Sequence, residues 1–262
     1  MKILVILSLL ISLPVFAQQF SNLTKKDVEN VTEEFGANFS HTVVAAPETK
    51  GIWGIEAGVV AGMTASPKFK GVIEDSGGDG KKFKNIYNAA VFGRLHVPFD
   101  LFVEAAFLPE QEIQEIKFKS QSFGAGWNAG GFFKWPVDLA LGFSQGSGEI
   151  NFTQTQDTTT VPVTPAADIS FETKTTIYYA ALSKTFLFAT PYAKFGTASI
   201  NGQLDANASI FGYTAEQSED ISLSGGYMAF GINVNFLFLK IGAEYSKVLD
   251  VSKTAAKLSF DI

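Results

Sequence analysis

The sequence predicts an all-β fold: a transmembrane, antiparallel, up-and-down β-barrel of about 10 strands, preceded by a short amphipathic helix. Three observations predict it. Apolar and small or polar residues alternate with period two along ten stretches of about 10 residues, enough to cross a bilayer at a tilt. The connectors between these stretches alternate long and short. The composition holds 25 Phe and 24 Gly but no Cys, so a secreted chain must draw its stability from one large sheet rather than from disulfides.

Residues 1–17 have the form of a secretory signal peptide. Lys2 precedes an apolar run from Ile3 to Leu13, and Val15-Phe16-Ala17 supplies small residues at the cleavage positions. The run is too short for the roughly 20 residues of a spanning helix. Residues 18–50 form an N-terminal helix and linker. Val28, Val31, Phe35 and Phe39 recur at helical spacing, with Lys25, Lys26, Glu29, Glu33 and Glu34 on the other faces. Thr24 or Ser21 would cap this helix, with Asp27 or Glu29 in its first turn. It is expected either as a plug, as a lid on the periplasmic mouth, or as a helix lying beneath the barrel.

The barrel occupies residues 51–262. Trp53, Ile55, Ala57, Val59, Ala61 and Met63 oppose Gly54, Glu56, Gly58 and Gly62. Residues 87–97 and 99–108 alternate in the same way, placing Arg94 and His96, then Glu104, on the polar side. Residues 123–130 and 137–144 set Phe123, Trp127, Leu141 and Phe143 against a glycine-rich face. In 169–182, Phe171, Ile177, Tyr179 and Ala181 oppose Glu172, Lys174 and Thr176. In 189–199, Ala193 and Phe195 oppose Tyr192 and Lys194, with Pro191 at the strand start. Residues 226–234 alternate cleanly. Residues 237–246 carry Lys240 and Glu244 opposite Leu239, Ile241 and Tyr245, and 254–262 end the chain. A miscounted weak strand would make the number 8 or 12.

The segments 66–85, 109–121, 145–168 and 200–220 are expected as long loops, and 97–99, 133–136, 183–188 and 235–236 as tight turns. Sorting long loops to one side and turns to the other belongs to a spanning meander, not to a Greek-key sandwich. Phe99, Phe133, Trp135, Phe186, Phe188 and Phe236 gather at the turn side, as an interfacial girdle would. Closure follows because every backbone polar group in hydrocarbon must be paired.

With these features the chain resembles bacterial outer-membrane β-barrel proteins with a helix before the barrel, and loosely the plugged fatty-acid transporters, which have more strands. The end "KLSFDI" is similar to the assembly signal of that class, carried by Leu258, Phe260 and Ile262. Ile262 stands where members usually end in Phe. The resemblance implies location in the outer membrane, with its lipid, envelope chaperones and the barrel-assembly machinery as partners.

The net charge of −6 excludes the basic stripe of a nucleic-acid binder. The predicted lumen face holds Glu56, Arg94, His96, Glu104, Glu172, Lys174, Lys194, Lys240 and Glu244. They would form either a salt-bridged filling or a polar conduit. Neither His41, in the linker, nor His96, near a short turn, has a neighbouring motif that would make it catalytic. The acidic stretch 74–80 lacks the spacing of a calcium loop and is expected to be solvated. No cofactor or metal is expected. The functional expectation is a non-catalytic barrel: a narrow channel or uptake barrel for small or hydrophobic solutes, or a structural envelope protein. The alternatives are an adhesin working through 145–168 and, behind it, an outer-membrane hydrolase.

Overall fold

The computed structural model describes residues 24–48, 53–75, 84–113, 116–133, 135–155, 166–210 and 213–261, and in it ten antiparallel strands close into one barrel. Helix α1 (Lys25–Phe39) comes first, then β1 (Gly54–Ala65), α2 (Pro67–Asp75), β2 (Asn85–Val97), β3 (Leu101–Ile113), β4 (Ile116–Asn128) and the single turn α3 (Ala129–Phe132). There follow β5 (Asp138–Thr155), β6 (Ala166–Ser183), β7 (Ala189–Ile210), β8 (Tyr213–Phe236), β9 (Leu239–Val248) and β10 (Val251–Asp261), which pairs back onto β1. Residues 1–17, most of the acidic 74–80 stretch, 156–165 and Ile262 lie outside the described residues.

The wall is inside-out relative to a soluble sheet. Ile55, Val59, Val91, Val103, Leu141, Phe195, Ile232 and Leu258 are exposed, while Glu56, Arg94, Glu104, Lys240 and Lys257 are buried. Apolar side chains on the exterior are stable only against hydrocarbon, so this is a membrane-spanning barrel of the bacterial outer-membrane type. The predicted girdle residues all stand outward at the short-turn rim, from Phe99 at 74% exposed to Trp135 at 50%. Three of the turns on this rim are tight enough to force apolar residues into the left-handed region, Phe99 at φ 70, Leu187 at φ 54 and Leu237 at φ 55.

Three expected loops are strands instead. Residues 109–121, much of 145–168 and 200–220 continue the wall as hairpins, so β7 runs 22 residues and β8 runs 24. Crossing a bilayer needs only about 9–11. The outward side chains change character along these strands. Cross-strand rows read, from the short-turn end, Trp127–Leu141–Ala180–Phe195–Met228, then Ala125–Phe143–Tyr178–Thr197–Gly226, then Phe123–Gln145–Thr176–Ser199–Ser224. Beyond them lie Gln121–Ser147–Lys174–Asn201–Ser222 and Lys119–Glu149–Glu172–Gln203–Asp220. The hydrocarbon boundary falls where the aromatics end, and the outer halves of β5–β8 stand beyond it.

These rows correct the parity expected for β6. Phe171, Thr173, Thr175, Ile177 and Ala181 are the buried, inward set, and Glu172 and Lys174 are exposed on the exterior. Charge marks the lumen face only at hydrocarbon depth, and these two residues lie past it.

Candidate functional site

The lumen is occupied by the chain's own N-terminal segment. Helix α1 begins at Thr24, which closes a capping box with Asp27: the Asp27 carboxylate accepts from Thr24 N–H at 2.8 Å, and Thr24 Oγ1 accepts from Asp27 N–H at 3.3 Å. The helix packs its C-terminal half on the inner wall. Phe35 and Phe39 meet Ile150 and Phe171, with Phe69 of α2 edge-on to Phe35 at 4.9 Å. Burial of each such ring stabilises by about 1.5–3 kcal/mol. Gly146 and Gly148 of β5 admit this packing, because a Cβ at either would collide with Phe39. Other inward glycines serve the wall itself: Gly142 and Gly231 lie under the rings of Tyr179 and Tyr192.

The helix must stop at Phe39 without leaving buried carbonyls unpaired. Asn88 Nδ2 donates to Asn38 O at 2.6 Å, Ser40 Oγ donates to Ala37 O at 2.7 Å, and Lys253 of β10 joins both. Its buried ammonium donates to Asn38 O at 2.8 Å, Ser40 O at 3.2 Å and Ala37 O at 3.3 Å, and also to Thr42 Oγ1. A cation at a helix C-terminus also answers the helix dipole. From Ser40 the chain runs extended down the axis. His41 bridges two strands, its Nδ1 2.8 Å from Ser122 Oγ and its Nε2 2.9 Å from Glu104. Val44 and Ala46 are fully buried. Arg94 Nη1 donates to Ala46 O at 3.3 Å, Ser183 Oγ donates to Pro47 O at 2.7 Å, and Lys240 holds Glu48 at 2.6 Å at the short-turn mouth.

The opposite end of the segment is tied to the long-hairpin side. Glu34 caps α2 from a distance in sequence, its two oxygens accepting from Lys68 N–H at 2.8 Å and Phe69 N–H at 2.7 Å. Burial nonetheless pushes its carboxyl above the usual range. Glu33 pairs with Lys68 and accepts from Asp250 N–H, in the β9–β10 turn, at 3.1 Å. The polypeptide therefore enters the lumen at the long-hairpin end and leaves it at the short-turn end, where β1 starts.

Seven of the nine residues expected in the lumen are there. Glu56 meets Lys257 at 2.6 Å and Lys240 at 3.7 Å, and Ser259 Oγ donates to it at 2.7 Å. Lys194 meets Glu244 at 2.9 Å, and Tyr192 OH donates to the same carboxylate at 2.8 Å. Arg94 stacks on Phe102 at 4.3 Å and lies 3.7 Å from Glu104. His96 is buried beside Phe102. Glu172 and Lys174 are the two outside. Sequence reasoning gave no role to Lys253, Lys257 or His41, because their partners lie far along the chain: Lys253 reaches Ala37 across 216 positions. Leu258 and Phe260 of the terminal motif face outward, half-exposed.

Ser122, His41 and Glu104 form a hydroxyl–imidazole–carboxylate chain, which is also the order of a hydrolytic triad. The His41 and Glu104 side chains are each 4% exposed. The chain joins the threaded segment to the wall, and none of its three residues lines either large cavity among the described residues. The smaller cavity, about 310 Å³ at the short-turn mouth, is bordered by Glu48, Asp138, Lys240 and Asp261.

The larger cavity, about 780 Å³, is on the outside of the wall. Lys119, Glu149, Glu172, Gln203 and Asp220 form one of its two rows, and Gln121, Ser147, Lys174, Asn201 and Ser222 form the other. Lys119 pairs with Glu149 at 2.6 Å. Glu149 and Glu172 stand directly opposite one another, a like-charge cross-strand pair that costs stability.

No family model matches the chain, and no curated protein sequence matches it. Among solved structures it is similar to Ail, the attachment invasion locus protein of Yersinia pestis, at 13% identity and TM-score 0.36, over 82% of this chain and 100% of that one. The translocator domain of autotransporter NalP from Neisseria meningitidis matches at 10% identity and TM-score 0.45, over 82% and 88%. Outer membrane protease OmpT from Escherichia coli matches at 9% identity and TM-score 0.44, over 85% and 99%. At these scores the likenesses carry no argument about activity; the architecture rests on the strand pairing itself.

Proposed function

We propose that this protein is a closed, non-catalytic outer-membrane barrel that works through its outer surface, as a contact or recognition protein of the cell envelope. The observation that carries this reading is the filled lumen. Residues 25–48 run its length, with Ala37, Val44 and Ala46 at 0% exposed, while β7 and β8 carry about twice the length that the bilayer requires. The inner face of that extra strand seats α1 through Ile150, Phe171 and Ile200, while its polar outer face, past the hydrocarbon, is left to serve something outside.

A second reading, a gated conduit, is favoured by one feature. Beside the apolar packing of Val43, Val44 and Ala45 on Val60, Phe92 and Ala106, the extended part of the threaded segment carries polar contacts through Lys253, His41, Arg94 and Lys240, and such contacts exchange with water more readily than a dry apolar seal. Planar-bilayer recording separates the two. The contact protein carries no current as the full chain at any holding potential. Discrete openings from the intact chain would replace it with the conduit.

A further inference from the structure

The two polar rows on the exterior of β4–β8 have the chemistry and the depth of a binding site, and we infer that they hold the sugar headgroup of an outer-leaflet glycolipid. The inference rests on the outward-working surface proposed above and gives it a ligand.

The lining suits a polyol. The cavity offers carboxylates from Glu149, Glu172 and Asp220, amides from Gln121 and Asn201, and the ammonium of Lys174. Mixed carboxylates and amides accept from and donate to vicinal hydroxyls, and an ammonium takes a phosphate or a ring substituent. A ligand rich in hydroxyls satisfies this set; a simple anion meets too many carboxylates, and an apolar ligand strands them all.

The pairing within the groove is incomplete. Among the described residues, Glu172, Lys174, Asn201 and Asp220 make no side-chain hydrogen bond or ion pair, although Lys174 lies one row from Glu149 and Glu172. Lys119 pairs with Glu149 and lies within electrostatic reach of Glu172, so two facing carboxylates share one cation and Glu172 forms no ion pair of its own. A wall selected only for stability would place opposite charges at Glu149 and Glu172.

The groove is continuous with the lipid-facing surface. Phe123, Phe143 and Tyr178 form a cluster on the same outer faces, with ring centroids 5.8 Å and 5.2 Å apart. Tyr178 and Lys174 are four residues apart on β6, which is about 13 Å along a strand. At barrel tilt that distance spans the headgroup layer just above the hydrocarbon. Acyl chains lying on the aromatic cluster would carry their headgroup into the groove. Barrels of this type turn their long hairpins to the outside of the cell, and in that orientation the leaflet at that level is the glycolipid one.

The test uses the full chain purified in mild detergent and read by native mass spectrometry. The probes are outer-membrane glycolipid with its core sugars, dioleoyl phosphatidylglycerol, and the delipidated core oligosaccharide. The intact protein is expected to retain glycolipid at least tenfold over phosphatidylglycerol. Glu172→Ala with Lys174→Ala is expected to lose that retention while still migrating as a heat-modifiable folded barrel. Equal retention of the two lipids, or retention unchanged in the folded double variant, overturns the inference. Free oligosaccharide bound as tightly as the glycolipid also overturns it, and identifies the ligand as a soluble glycan. None of these results depends on whether the lumen conducts, so they stand apart from the bilayer recording.

Discussion

The two sides of this barrel are built to different lengths. On one side β9 and β10 have 10 and 11 residues and join through a tight turn at Leu249 and Asp250. On the other β7 and β8 have 22 and 24. The short side does what the bilayer demands and little more. Its outward residues are apolar nearly throughout, and its inward Lys240, Glu244, Lys253 and Lys257 hold the lumen together. The long side obeys the same rule up to Tyr178 and Met228, then abandons it. Strand length beyond the hydrocarbon, and the loss of apolar alternation with it, mark where membrane crossing ends and a second task starts.

That contrast can be broken first on the short side. Lys257→Ala leaves Glu56 buried without its 2.6 Å partner, and breaking such a pair costs about 3–5 kcal/mol. Denaturant unfolding in detergent is expected to show that loss, and Lys257→Ala with Glu56→Gln to recover part of it. The next largest effect compares depths on the long side. Ile232→Arg faces hydrocarbon and is expected to cost about 2–4 kcal/mol, whereas Asn201→Arg, above the boundary, is expected to cost about 0–1 kcal/mol. Equal costs would place both residues in one environment. Lys253→Met keeps the volume but removes the charged donor to the carbonyls of Asn38 and Ser40, which keep only Asn88 Nδ2 and Thr42 Oγ1. The expected loss is about 1–3 kcal/mol, read as faster hydrogen exchange in α1 than in the wall.

The smallest perturbation sharpens the direction of threading. The chain has no Cys, so one introduced thiol reports alone. Lys26, 74% exposed at the long-hairpin end, is expected to react as Lys26→Cys with a membrane-impermeant maleimide on intact cells. Lys184→Cys, beside a short turn, is expected to react only after the outer membrane is opened. The reverse pattern would turn the segment, or the barrel, around.

Much of this architecture is legible in the sequence. Clean alternation assigns the faces of β1–β5 and β7–β10, because side-chain direction has period two and hydrocarbon tolerates no error in it. β6 is misread for a physical reason. Thr173 and Thr175 face inward, with Thr175 Oγ1 donating to Gly36 O at 2.7 Å, while Glu172 and Lys174 face outward above the lipid. Beyond the boundary the outward face turns polar and the apolar residues, Ile150, Phe171, Ile200 and Ile221, face inward, the first three onto α1, so the apolar face changes sides and the hairpins look like loops. The threaded segment is half legible. The helical spacing of Val28, Phe35 and Phe39 is plain, but its seat is made by Lys253, His41 and Glu34 through partners that local pattern does not link.

The account stands on the exterior changing solvent partway along one strand. Nitroxide labels at outward positions 236, 232, 228, 224 and 220 of β8, with collisional access to oxygen and to a water-soluble nickel complex, measure that directly. Oxygen access is expected to dominate at 236, 232 and 228 and nickel access at 224 and 220, with label 229 shielded from both. Oxygen-dominated values along the whole strand would contradict it, since no polar wall would then rise beyond the lipid.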